Sequence, residues 1–105
     1  MNNKRKFVRF KIGLDSGIGR ITDFSRDGLR VRSARNLLAE KNLVFFECQL
    51  PDTDRFAALD GQIRWCRATG AEWEMGVKIE RMNAADKNEI LAHAYRMWRN
   101  ERGMG

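Results

Sequence analysis

A chain of 105 residues, 43% hydrophobic and 32% charged, has the size of one domain and enough apolar side chains for a single core. One Pro and nine Gly argue against low complexity, and no apolar run approaches the ~20 residues of a membrane helix. The net charge of +6 is concentrated: residues 1–35 hold ten basic side chains against three acids, which points to an anionic partner.

Met1 to Lys6 is basic with no apolar segment behind it, so it is not read as a signal peptide. Cys48 and Cys66 form no CxxC pair and cannot staple a secreted scaffold. A cytoplasmic protein without membrane insertion is expected.

In chain order the dominant period is two until the last twenty residues. Val8, Phe10, Ile12 and Leu14 alternate with Arg9, Lys11 and Gly13, which predicts a first strand. Asp15-Ser16-Gly17 supplies turn chemistry. A second strand is expected from about Ile18 to Phe24 and a third from Gly28 to Arg32. Ser33 to Asn42 is a polar connection with a helical turn at Leu37-Leu38. Val44, Phe46, Cys48 and Leu50 share one face of a fourth strand, ended by Pro51-Asp52. Leu59, Gly61, Ile63 and Trp65 share one face of a fifth. In the sixth, entered through Gly70, Trp73, Met75, Val77 and Ile79 oppose Glu72, Glu74 and Lys78. Asn83 is then an N-cap, and Ile90, Ala94, Met97 and Trp98 recur at helical spacing up to a stop at Gly103.

Six short strands in so small a sheet leave both edges exposed unless the sheet closes. The expected fold is therefore mainly β, a six-stranded antiparallel barrel over residues 8–80 with a C-terminal α-helix over 84–102. A flexible basic arm over residues 1–9 completes the single domain.

No catalytic constellation stands in the sequence. His93, the only histidine, has just Glu89 at ligand spacing and reads as a helix-surface or core-edge residue. Neither cysteine has a local base, and strand parity sends Cys48 inward. Gly17-Ile18-Gly19 opens like a dinucleotide fingerprint, but Thr22 takes the third glycine position and no βαβ unit surrounds it. A binding protein is expected rather than an enzyme, with no metal and no cofactor.

Two clusters carry the binding argument. Arg5 and Arg9, preceded by Lys4, form an R-x-x-x-R spacing just before the first strand. Two guanidinium forks four residues apart can curl around one compact anion, or read O6 and N7 of a guanine. Asp23-Phe24-Ser25-Arg26-Asp27-Gly28 follows, with Asp23 and Ser25 two apart and so on one face of a strand end. Asp23 is acceptor-only, and Ser25 can donate or accept. Gly28 permits a sharp turn and leaves room for a flat ligand. The same D-x-S-x-x-G also suits an Asx- or Ser-type turn.

In this order, and in a chain of this strand count, the two motifs resemble the PilZ family of cyclic di-GMP receptors. Leu50-Pro51, Gly61-Gln62-Ile63-Arg64-Trp65 and Met75-Gly76-Val77-Lys78-Ile79 also look like that family's later strands. The resemblance implies no reaction. It implies that Arg5 and Arg9 grip phosphate and guanine while Asp23, Ser25 and Gly28 complete the site. Lys4 matches a position that influences whether one dinucleotide or a stacked pair binds, and its cationic chain leans toward a pair. Trp65 matches a position where an aromatic ring lies against a guanine, but a barrel-core place beside Ile63 fits it at least as well.

The function this implies is a cytoplasmic receptor and adaptor that changes conformation on binding cyclic di-GMP. It would regulate a protein partner in motility, surface attachment or polysaccharide output. A small basic barrel for single-stranded nucleic acid is the competing reading, with Phe7, Phe10 and Phe24 between Arg5, Arg9 and Arg26. Parity sends Phe10 inward and disfavours it. A ligand-free adaptor is disfavoured because both motifs are intact.

Overall fold

Alternating sequences bury one face of each strand, and here those faces close on one another. The computed structural model describes residues 8–102. Its strands are β1 (Phe10–Ser16), β2 (Gly19–Phe24), β3 (Gly28–Ser33), β4 (Leu43–Gln49), β5 (Phe56–Thr69) and β6 (Glu72–Met82). A 3₁₀ turn at Leu37–Ala39 and the helix α1 (Ala84–Glu101) complete the chain. All pairings are antiparallel, in the order β1-β2-β3-β6-β5-β4. The sheet closes through a narrow seam, where Ser16 meets Cys48 and the Gly17 N–H donates to the Glu47 carbonyl at 2.9 Å.

The core is the inward set that alternation predicts: Ile12, Leu14, Val31, Val44, Phe46 and Cys48 are buried, as are Leu59, Ile63, Met75, Val77 and Ile79. The first strand starts at Phe10 rather than Val8, and Val8 is exposed. Ile21 and Phe24 are both fully buried although three residues apart. A register shift between Ile21 and Asp23 reconciles them, inserting one residue and turning Asp23 outward. A second shift, between Ile63 and Trp65, makes Arg64 the extra residue of β5. Parity reverses there, so Trp65 leaves the core face and is 38% exposed; its barrel-core reading does not hold.

Helix α1 starts where expected, with the Asn83 side chain accepting from the Asp86 N–H at 3.0 Å. Ile90 and Ala94 are its buried residues, while Met97 and Trp98 stay part-exposed. Phe10 meets the edges of Tyr95 and Trp98 with ring centroids 6.1 and 6.3 Å apart, pinning the helix to β1. The expected stop at Gly103 lies outside the described residues.

Candidate functional site

Residues facing outward on β3, β6 and β5 form a grid that the ladder register defines. Gly28 lies opposite Lys78, and Arg30 opposite Gly76, with Trp65 across from Gly76 on the other side. The next row sets Arg32 and Arg67 on either side of Glu74. Two of the grid positions are glycines, which hollows the surface. A Cβ on Gly28 would meet the Val77 carbonyl oxygen at 2.8 Å, and one on Gly76 would collide with the Trp65 indole. The result is a cleft of about 340 Å³ with Gly28 and Gly76 in its floor and Arg9, Arg30, Arg64 and Lys78 around it.

Arginine and carboxylate alternate along one side of this cleft. Arg9 donates from Nη2 to Asp23 Oδ1 at 2.7 Å, and Arg30 Nε lies 3.3 Å from Asp23 Oδ2. Arg30 Nη1 is 4.0 Å from Glu74 Oε2, while Arg67 grips Glu74 Oε1 through Nη2 at 2.7 Å and Nε at 2.9 Å. The two acids are largely covered, at 16% and 9% side-chain exposure, so they hold the arginines with little help from water. Trp65 sits between Arg30 and Arg67, whose guanidinium carbons lie 5.9 and 5.6 Å from its ring centre. Arg9 keeps a further donor in reserve, because its Nε is buried without a hydrogen-bond partner among the described residues.

The expected residues divide clearly. Arg9, Gly28 and Trp65 line the cleft together, and Asp23 holds Arg9 at its rim. Ser25 is fully buried instead, with its hydroxyl donating to Asp27 Oδ1 at 2.8 Å and lying 3.1 Å from the Gly28 carbonyl oxygen. With the Ser25 N–H donating to that same carbonyl, the motif forms the tight turn its spacing also permits. Ser25 thereby aims Asp27, itself a cleft residue. Lys4 and Arg5 lie outside the described residues, as does most of the expected basic arm. Sequence reasoning missed Arg30, Arg64, Lys78 and Gly76. The alternation already put Arg30, Lys78 and Gly76 on the outer face, but Arg64 depends on a bulge that periodicity does not show.

The other groups singled out in the sequence have local roles. Cys48 is buried, and loss of solvation, with a smaller contribution from the Asp86 charge, pushes its thiol up to about 11. His93 places Nδ1 3.6 Å from Asp52 Oδ2 at the core edge. Gly17-Ile18-Gly19 is the β1–β2 hairpin turn, and Gly19 is held at φ +142° against the Arg32 carbonyl. The stacking platforms needed for single-stranded nucleic acid are missing at two of three positions: Phe24 is fully buried and Phe10 is covered by α1. Phe7 lies outside the described residues.

Comparison with known proteins agrees with this architecture. The PilZ domain family model matches residues 3–96. The solved structure of Bacillus subtilis inhibitor of motility (MotI/DgrA) superposes with a TM-score of 0.80 at 19% identity. The match covers 96% of this chain and 54% of that one, so this chain spans about half the length of its structural neighbour. At that identity the likeness is one of fold. No curated protein matches the sequence.

Proposed function

The chain belongs to the PilZ domain family, a family of cyclic di-GMP receptors, and from that premise we propose that it binds cyclic di-GMP in the β3–β6–β5 cleft. The observation that carries this reading is the cleft itself: a glycine floor, one indole, and four cations around a space that a planar anion fits. In the proposed complex Arg9 and Arg30 turn from Asp23 to phosphate and guanine oxygens, and Arg5 shares that load. Asp23 then accepts from the guanine N1–H and N2 amine, the base rests against Trp65, and Gly28 allows its close approach. Lys4 adjoins a second dinucleotide if a stacked pair binds.

A PilZ domain binds and adapts rather than catalyses, so the proposed output is a changed surface read by a protein partner. Motility control is the proposed pathway class, because the structural neighbour is named an inhibitor of motility. A cytoplasmic site of action follows from the ligand. Calorimetric titration with cyclic di-GMP, beside an unrelated oligonucleotide at two salt concentrations, tests the reading. Saturable binding of the dinucleotide alone is expected. Oligonucleotide binding that falls steeply with salt would transfer the function to nucleic acid. A folded chain that binds neither would leave the ligand-free adaptor.

A further inference from the structure

The cleft holds one carboxylate that the contacts proposed so far leave unused. Asp27 is the only acidic residue among the described residues lining it, beside Arg9, Arg30, Arg64 and Lys78. It stands at a free position of the D-x-S-x-x-G spacing, so the motif assigns it nothing. The structure nevertheless fixes it at two points. The buried Ser25 hydroxyl donates to Asp27 Oδ1 at 2.8 Å, and the Ile79 N–H donates to the Asp27 carbonyl at 2.9 Å, tying the turn to β6. Asp27 Oδ2 has no hydrogen-bond or ion-pair partner among the described residues, although four cations surround the cleft. Asp23 differs on this point, because Arg9 and Arg30 occupy its two oxygens at 2.7 and 3.3 Å.

A carboxylate that neutralises no cation weakens the binding of an anion, unless the ligand donates hydrogen bonds to it. Phosphate diesters donate nothing. A guanine does, through an N1–H and an N2 amine that lie side by side and match two carboxylate oxygens. Cyclic di-GMP carries two guanines, and one carboxylate serves only one such edge. We propose that Asp27 accepts from the second guanine of the ligand while Asp23 accepts from the first, so that the cleft reads both bases. This rests on the binding of cyclic di-GMP proposed above and adds a specificity-determining residue to it. Oδ2 takes the N1–H, and Oδ1, which keeps a lone pair beside its bond to Ser25, takes the amine. Ser25 then serves the site from beneath, by holding Asp27 rather than by touching the ligand.

Calorimetric titration of the full chain with cyclic di-GMP, and with cyclic GMP-AMP of the same linkage, tests this. The mixed ligand has one adenine, which lacks both the N2 amine and the N1–H. The wild type should bind cyclic di-GMP roughly tenfold more tightly than the mixed ligand, the worth of hydrogen bonds to one charged group. Asp27→Ala should lose about that factor for cyclic di-GMP and little for the mixed ligand, so that the preference nearly vanishes. Asp27→Asn keeps one acceptor and should fall between. Melting curves of both variants should stay near wild type, since the Ser25 hydroxyl retains the Gly28 carbonyl at 3.1 Å. A wild type that binds both ligands equally would overturn the proposal while leaving the cleft a receptor. So would an Asp27→Ala protein that keeps the full preference, or one that binds cyclic di-GMP more tightly. A wild type that binds neither ligand would remove the underlying reading, and the proposal with it.

Discussion

The barrel has two contrasting outer surfaces, and β5 contributes to both. Over the cleft, outward positions are charged residues or glycines: Arg30, Glu74, Gly76 and Lys78, with Arg64 and Trp65 beside them. Over the seam they are Leu43, Phe45 and Phe56, all more than half exposed. The chain Arg9–Asp23–Arg30–Glu74–Arg67 crosses the first surface with one residue just before β1 and one on each of β2, β3, β6 and β5, in sheet order. That arrangement holds the guanidinium groups in place in the free protein, and in the proposed complex Arg9 and Arg30 exchange Asp23 for the ligand. The seam surface has no such scaffold and offers apolar area instead. One fold thus presents a charged, glycine-floored face on one side and an apolar face on the other.

The sharpest way to break this contrast is to remove the rim arginine. Arg9→Ala should weaken cyclic di-GMP binding by about 1.5–3 kcal/mol, the worth of charge-assisted bonds, and Arg5→Ala should do likewise. Asp23 keeps Arg30 in the Arg9 variant, so the melting temperature of the free protein should move little. Titration and a melting curve on the same sample check both halves. An unfolded Arg9→Ala protein would make the cleft network a structural device rather than a receptor.

On the seam side the comparable probe is pH. Cys48 closes the barrel opposite Ser16, and burial, with a smaller push from the Asp86 charge, raises its thiol from the ordinary 9.0 to about 11. Between those values the unfolded chain releases its thiol proton while the native one retains it, so stability falls as pH rises. The contribution is complete below pH 9 and lost by about pH 11, at roughly 1.4 kcal/mol for each unit between the two values. Denaturant unfolding of wild type and Cys48→Ala across that window should show the extra loss in the wild type alone. Identical pH slopes would show that the seam admits water.

Glu74→Gln returns to the cleft with a smaller effect. It halves the acceptor strength beneath Arg30 and Arg67, but Arg67 is 67% exposed and well screened. A stability loss of about 1–2 kcal/mol follows, between the surface and buried limits for ion pairs. Trp65 fluorescence should shift as the two guanidinium groups leave its faces. An unchanged spectrum would mean that the indole is held by Gly76 alone.

How much of this was legible in the sequence depended on whether each element kept its count. The inward faces of β4 and of β6 from Trp73 to Ile79, and the Asn83 cap, follow directly from residue spacing, because the extra residue of β6, Glu80, comes only after them. Where a bulge adds one residue, at Thr22-Asp23 and at Arg64, parity reverses and the outward set changes. Trp65 was ambiguous for that reason, and Arg64 was invisible. Ser25 illustrates a different limit: its spacing fits both a ligand contact and a turn, and only burial separates the two. Long-range ion pairs such as Arg30 with Glu74 need the β3–β6 register, which no local pattern contains.

The smallest expected effect is also the most discriminating, because Asp23 has two roles with opposite signs. In the free protein it holds Arg9 and Arg30 on separate oxygens, at 2.7 and 3.3 Å. As an anion beside an anionic ligand it also repels the phosphates and competes for the same guanidinium groups. Asp23→Asn keeps one acceptor oxygen, removes the charge and loosens the arginines. The gain from lost repulsion and the loss of preorganisation should nearly cancel, leaving affinity for cyclic di-GMP within about 1 kcal/mol of wild type. Asp23→Ala keeps no acceptor, so guanine donors buried against it stay unpaired and binding should weaken further. Cyclic di-AMP separates the guanine role from the arginine role. Adenine has no N2 amine and presents a donor where guanine has O6, so it should bind the wild type poorly, and Asp23→Ala should narrow the gap between the two ligands. If Asp23→Ala weakens both dinucleotides by the same factor, the carboxylate serves only to position Arg9 and Arg30. If it strengthens the guanine form, phosphate charge alone drives association and base identity is read elsewhere.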